Sequence, residues 1–189
     1  MDKVLAKEAQ RNVGLSARNA VGAESARRFS RAICEKLIAD PVFMESGIIL
    51  SYYPVGGEVD TGFFNSQAVR MGKRVAFPIC YSDGHMAAAI PAAPDGWETG
   101  LYGIQVPLQD CSHIIDASEI DLAIIPCVAF DGATRARIGR GAGYYDRYLP
   151  LCAKAVSIAV AFDAQRIDGI CSDAWDIPVD AVITEIGRY

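Results

Sequence analysis

The sequence predicts an α/β fold: a single three-layer αβα domain over residues 1–189, Rossmann-like, with a mainly parallel central sheet. Three observations carry this. Short, nearly continuous apolar runs at residues 47–53, 120–130 and 155–162 are what strands buried on both faces require. These runs alternate with stretches of helical periodicity. The 189 residues contain no linker or internal repeat, and that length suffices for one sizeable core.

In chain order, Lys3, Lys7 and Arg11 are spaced i, i+4, i+8 and line one face of a first helix. Read alone, that is a solvated face. Gly14 and Ser16 suggest a break and a new helix cap. Phe29, Ile33 and Leu37 form the apolar stripe of a second helix running to about Ala39, which Asp40-Pro41 ends. Residues 47–53 form a strand, and 54–57 a loop at its carboxyl end. Asp60 or Thr61 caps a helix to about Met71, and residues 74–78 form the next strand. Residues 81–118 lack periodicity and carry Pro91, Pro94, Gly96, Gly100, Gly103 and Pro107, so loops and short strands are expected there. Residues 120–130 read as a strong buried strand, 143–152 as a helix, and 155–162 and 181–184 as further strands. Ligands of such sheets bind beyond the carboxyl ends of the strands. Glu58 and residues 135–147 both follow predicted strands, so the topology brings them to one edge.

Composition narrows the function. A chain 51% hydrophobic and 22% charged is a soluble globular protein. No apolar run approaches the ~20 residues of a membrane span, and residues 1–11 lack the apolar centre of a secretory signal, so a cytoplasmic protein without a membrane partner is expected. Residues 1–36 hold eight basic and four acidic side chains, while the rest of the chain is strongly acidic within a net charge of −5. An acidic body argues against nucleic acid as a partner. The six cysteines, at 34, 80, 111, 127, 152 and 171, never fall within four residues of one another. That excludes Cys-x-x-Cys motifs and suggests buried free thiols. With His85 and His113 the only imidazoles, a zinc site or a histidine triad has little to draw on.

Residues 135–147 are the most informative segment. No Lys or Arg occurs between Arg74 and Arg135; then Arg135, Arg137, Arg140 and Arg147 arrive with Gly139, Gly141, Gly143, Tyr144, Tyr145 and Asp146. Glycines let backbone N–H groups approach an anion. Arginines match phosphate or carboxylate oxygens in bidentate geometry. The tyrosines offer flat faces with polar tips, and the aspartate suits a hydrated divalent metal. A nucleotide triphosphate and an acidic, ring-containing substrate fit such a site. A dinucleotide-binding turn does not: the spacing is G-x-G-x-G, with Tyr at 144, and the glycines lie well after the strand. No Walker motif is present.

Residues 124–131 (Ile-Ile-Pro-Cys-Val-Ala-Phe-Asp), continued by residues 137–147, closely resemble the signature of the 5-formyltetrahydrofolate cyclo-ligase family, also called 5,10-methenyltetrahydrofolate synthetases. The resemblance extends to the basic first helix, to Glu58-Val59-Asp60-Thr61, to Gly72-Lys73-Arg74-Val75 before Pro78, to residues 100–107 and to residues 176–185. It implies conversion of 5-formyltetrahydrofolate and ATP, with Mg2+, to 5,10-methenyltetrahydrofolate, ADP and phosphate. The formyl oxygen attacks the γ-phosphate, N10 closes the ring, and phosphate leaves. Phosphoryl transfer needs positioning and charge neutralisation more than an acid/base pair.

By motif position, the resemblance implies ATP binding by Lys3, Lys7, Arg137, Gly139, Arg140, Gly141, Gly143, Tyr144 and Tyr145. Tyr53, Glu58 and Tyr144 hold the folate; Asp146 and Asp176 hold magnesium; Arg140, Tyr144 and Asp146 carry catalysis. The sequence departs from the family pattern in places. One extra residue lies between Asp131 and Arg137 and the usual glycine is missing. Lys7 stands where Arg is common, Trp175 where His is frequent, and Val106 where a polar residue often precedes the proline. A monomer whose basic helix closes over its own ATP is the expected assembly. The competing class is a catalytically quiet folate- or nucleotide-binding regulator on the same scaffold. An isomerase or acyl-transferase relative would want a base or a carboxylate nucleophile, and the arginine loop supplies neither.

Overall fold

A computed structural model describes residues 3–93 and 95–189; Met1, Asp2 and Pro94, and the side chain of Cys111, lie outside that set. The first two helices are α1 (Lys3–Asn19) and α2 (Ala23–Ala39). The break expected at Gly14 and Ser16 falls instead just before Ala23. Gly14 serves a different purpose: a Cβ there would lie 2.4 Å from the Val128 carbonyl oxygen, so its bare backbone lets α1 dock closely. Along α2, Ile33, Cys34 and Leu37 are buried, as the stripe predicts. Asp40 takes an extended conformation before Pro41 and caps α3 (Pro41–Glu45) through the Val42 N–H.

Strand β1 (Ile48–Leu50) is shorter than its apolar run. The Asp121 carboxylate starts it by accepting the Gly47 and Ile48 N–H groups. Helix α4 (Gly62–Arg70) begins where expected, but Thr61 does not cap it, because its hydroxyl donates to the Tyr52 carbonyl. Strands β2 (Arg74–Cys80) and β3 (Met86–Ile90) pair antiparallel. Strands β4 (Trp97–Thr99) and β5 (Gln105–Pro107) form a ribbon, and β6 (His113–Ile115) borders β3. The run at 120–130 splits into β7 (Leu122–Pro126) and β8 (Ala129–Phe130), the latter paired with β9 (Arg137–Ile138). Pro126 has no N–H to continue a ladder, and the Gln165 amide takes the carbonyls of Cys127 and Val128. Helix α5 (Tyr144–Tyr148) tightens into a 3₁₀ turn at Leu149–Leu151, around Pro150. Strands β10 (Val156–Val160) and β11 (Ala181–Ile183) complete the chain's elements.

Among the described residues, seven strands form one sheet in the order β11-β10-β7-β1-β2-β3-β6. The pairs among β11, β10, β7, β1 and β2 are parallel; β3 and β6 add an antiparallel edge. Alternate residues of the central strands are buried on opposite faces. Leu122 and Ile124 pack with Ile33, Leu37, Phe43 and Phe64 under α2, α3 and α4. Ala123 and Ile125 pack with Tyr148, Leu149 and Cys152 on the other face. A fully buried aliphatic side chain contributes roughly 1.5–3 kcal/mol, so this two-sided core is the main source of stability. Counting only parallel strands in chain order, the sequence of neighbours is 2-1-3-4-5, and the order reverses between β1 and β7. Ligands of such sheets occupy the crevice at that switch point. The segments leaving the two strands there are 51–58 and 127–147.

Candidate active site

Helix α1 packs against β8, β9 and the 3₁₀ turn Asp163–Gln165, across the loops that leave the carboxyl ends of the strands. At about 100° per residue, Lys7, Arg11 and Arg18 share one face of it. That face meets the arginine loop. Arg11 Nε donates to the Gly139 carbonyl at 3.0 Å. Gln10 pins the same helix to the chain near the end of the fold, donating to the Gly169 carbonyl and accepting the Cys171 N–H.

Two of the loop's three glycines are demanded by geometry. Gly141 has φ +108° and Gly143 φ +69°, values that favour glycine. Gly143 also leads into α5, and a Cβ there would sit 2.9 Å from Arg147 Nη1. Gly139 is not left-handed; it offers its carbonyl to Arg11. Arg147 braces the loop, donating to the carbonyls of Ala142 and Gly84. Ahead of the loop, the buried Asp131 carboxylate accepts the N–H groups of Ala133, Thr134 and Gly169. Arg135, two residues before Arg137 where the family's glycine is missing, adopts φ +59°.

Three acid–base contacts organise the basic groups. Glu58, whose side chain is 6% exposed, accepts through Oε1 from Arg140 Nε at 3.0 Å, with Arg140 Nη2 in ionic contact at the same distance, and through Oε2 from the Val55 N–H. Arg140 Nη2 also donates to the Val55 carbonyl. Arg137 Nη2 donates to Asp146 Oδ1 at 3.0 Å, and the same oxygen accepts the Ile177 N–H. Lys7 Nζ donates to Asp176 at 2.7 Å and to Asp173 at 3.3 Å. Burial pulls the Lys7 ammonium down, and Asp176 and Asp173 more than offset it, leaving Lys7 above its ordinary value. Burial pushes Asp176 up, but Lys7 and the Asp173 N–H hold it below the usual carboxylate range.

The tyrosines take distinct places. Tyr144 donates its hydroxyl to the Tyr81 carbonyl. Desolvation, with Cys80 and Glu58 nearby, pushes the Tyr145 phenol far up, so it stays protonated at neutral pH. Tyr53 is half-exposed and its ring packs against Trp97, which in turn meets Phe77 edge-on. That makes an aromatic wall beside the loop carrying Glu58. Burial raises the Cys127 thiol to about 12, which keeps it protonated at neutral pH.

The structure therefore brings together Lys7, Glu58, Arg137, Arg140, Tyr144, Tyr145, Asp146, Asp176 and the three glycines. It does not bring Lys3 to them: Lys3 is exposed, and its side chain makes no hydrogen bond or ion pair with the described residues. Sequence reasoning missed Arg11 as a contact of the loop and Arg18 altogether. Their spacing from Lys7, i+4 and i+11, holds the signal that finds them.

A doubly wound α/β sheet with converging arginines, a lysine and carboxylates at its switch point defines an enzyme of anionic, phosphate-bearing substrates. The comparisons make that specific. The chain matches the model of the 5-formyltetrahydrofolate cyclo-ligase family over residues 4–185 and belongs to that family. It is 28% identical to the 5-formyltetrahydrofolate cyclo-ligase of Escherichia coli (strain K12), covering 88% of this chain and 93% of that one. It is 31% identical to the enzyme of that name from Mycolicibacterium smegmatis over 72% of each chain. Among solved structures, Aquifex aeolicus 5,10-methenyltetrahydrofolate synthetase superposes with a TM-score of 0.84 at 30% identity, covering 96% of this chain and 91% of that one. The 5,10-methenyltetrahydrofolate synthetase of Mycoplasma pneumoniae gives 0.78 at 26% identity, covering 98% and 99%.

Proposed function

We propose that the protein cyclises 5-formyltetrahydrofolate to 5,10-methenyltetrahydrofolate, consuming ATP and releasing ADP and phosphate. The observation that carries this reading is the Glu58–Arg140 contact, which joins a folate-facing carboxylate to a phosphate-facing loop at the sheet's switch point. Glu58 suits the adjacent N–H donors of a pterin ring. Lys7, Arg11, Arg137 and Arg140 surround the loop whose backbone would cradle the triphosphate. Tyr144 and Tyr145 form the floor between the two, and Tyr53 with Trp97 a wall. In this reading the loop and α1 align the γ-phosphate with the formyl oxygen. The cations neutralise charge that spreads over the transferring phosphoryl group.

Magnesium fits the residues in a limited way. Among the described residues, no three His, Cys, Asp or Glu side chains group closely enough to hold a metal by themselves. Asp146 uses Oδ1 for Arg137 and Ile177, and Oδ2 accepts no hydrogen bond from the described residues. One free carboxylate oxygen plus phosphate oxygens and water is a usual Mg2+ environment. Asp176 has both oxygens engaged by Lys7. When bound, Mg2+ supplies charge neutralisation at the phosphoryl oxygens.

The test is a spectrophotometric assay with 5-formyltetrahydrofolate, ATP and Mg2+, reading the near-ultraviolet band of the methenyl product. ATP-dependent growth of that band supports the proposal. A flat trace from folded protein that binds the folate overturns it in favour of a quiet folate-binding regulator.

A further inference from the structure

Arg18 is an anomaly for a soluble protein. Its side chain is 4% exposed, and its Nε and Nη1 have no hydrogen-bond partner among the described residues. Buried donors are normally paired, because an idle one loses its water without gaining a partner. Its nearest carboxylate oxygen is Glu58 Oε1, 3.9 Å from Nη1, an ionic contact too long for a hydrogen bond. That oxygen already accepts from Arg140 Nε and stands 3.0 Å from Arg140 Nη2. The two guanidiniums also flank one loop position: a Cβ on Gly56 would lie 3.3 Å from Arg140 Nη2 and 3.8 Å from Arg18 Nη2. Glu58 thus has two cationic neighbours. One is buried, fixed on α1 and has idle donors. The other is 47% exposed, belongs to the phosphate loop and makes all the bonds.

We propose that Arg18 is a positioning residue that takes over Glu58 when Arg140 turns to the phosphoryl groups. Glu58 then keeps an ionic partner, and its orientation toward the folate, while Arg140 is occupied. The movement required is about 1 Å, from 3.9 Å into hydrogen-bond range, within the reach of side-chain adjustment. The electrostatics favour it. Burial pulls the Arg18 guanidinium down, Glu58 opposes that, and Arg140 adds to it, so Arg140's departure removes one of the two unfavourable influences. The inference rests on the proposed assignment of Arg140 to phosphate and Glu58 to folate.

The test measures 5-formyltetrahydrofolate affinity with and without a non-hydrolysable ATP analogue and Mg2+, by titration calorimetry. The comparison is between wild type and Arg18→Met, an apolar replacement that leaves no unpaired buried charge at position 18. Wild type should bind the folate equally well or better with the analogue present. Arg18→Met should bind it normally alone and about tenfold or more weakly with the analogue, because Glu58 then has no partner. Arg18→Lys should recover part of that loss. Equal weakening with and without the analogue, or none in either condition, overturns the proposal; a general structural defect would give the first of these. Arg140→Gln, at an exposed side chain, is the second variant and covers failure of Arg18→Met to fold. It should lose affinity for the analogue yet keep folate affinity within about twofold, since Arg18 holds Glu58. Collapse of folate binding in Arg140→Gln likewise overturns the handover. Wild type that binds no analogue at all would instead sink the underlying functional reading.

Discussion

Lys7 Nζ lies 2.7 Å from Asp176 Oδ1, an ion pair that ties the first helix to a turn 169 residues further along the chain. Both side chains are largely buried, 18% and 15% exposed, so the pair is neither a fully solvated contact nor a sealed one. Replacing Lys7 by Met leaves two carboxylates, Asp173 and Asp176, without their cation. The expected outcome is a loss of about 1–2 kcal/mol in urea unfolding. The KM for ATP should rise at least about tenfold with folate saturating if Lys7 serves the phosphates as proposed. An unchanged KM would remove Lys7 from the nucleotide site and leave it a structural tie.

Gly14→Ala sets two effects against each other. Alanine improves helix propensity by about 1 kcal/mol. Its Cβ, however, would lie 2.4 Å from the Val128 carbonyl and 2.9 Å from the Ala129 Cβ, both parts of packed elements. Overpacking of that kind costs about 1–3 kcal/mol, so net destabilisation is expected. Turnover should fall with it, because the same helix carries Lys7, Arg11 and Arg18. A variant more stable than wild type would show that α1 docks loosely.

Asp146→Asn should lower kcat by roughly a hundredfold or more and raise the Mg2+ concentration needed for half-maximal rate. The fold should survive, since an amide oxygen can still accept from Arg137 and the Ile177 N–H. If the Mg2+ dependence is unmoved while the rate falls, Asp146 acts only by holding Arg137.

Acid stability follows from three depressed carboxyls that bind distant segments; a fourth, Asp116, is held low only by its near neighbour Ser118. Burial pushes Asp121, Asp131 and Asp176 up, but hydrogen bonds from backbone N–H groups, with Lys154 and Lys7 at the first and last, leave all three below the usual range. A folded-state value below the unfolded one means that the unfolded chain binds more protons. Stability is therefore full above about pH 4 and is lost as pH falls through the folded values. Urea midpoints between pH 3 and pH 7 should be flat at the upper end and drop at the lower. In Asp131→Asn the drop should be shallower, from a lower plateau.

Much of the fold was legible because it is local. The helix at 23–39 ends at Ala39 because Asp40-Pro41 forbids continuation, and the parallel strands announce themselves as apolar runs buried on both faces. Less legible was whatever depends on distant partners. Gly14 reads as a break until Val128 is seen against it. Residues 120–130 read as one strand until Gln165 claims two of its carbonyls. At the site, the glycine–arginine loop was legible from composition, and Glu58 from the family resemblance. Arg18 was not, because a single arginine on a polar helix face gives no hint that it will be 4% exposed beside a carboxylate forty residues away. Arg135 shows the converse. The missing glycine is visible in the sequence, and Arg135 there is left-handed with a side chain in place, at a cost of about 1 kcal/mol.

The tie between Gln10 and Lys7 on α1 and residues 169–176 also bears on how the chain folds. Contacts between residues so far apart in the chain close a very long loop, and pairings of that kind slow folding. Docking of α1 on the turn at 169–176 is therefore expected to lag behind assembly of the locally connected elements, and its release on heating to precede loss of the core.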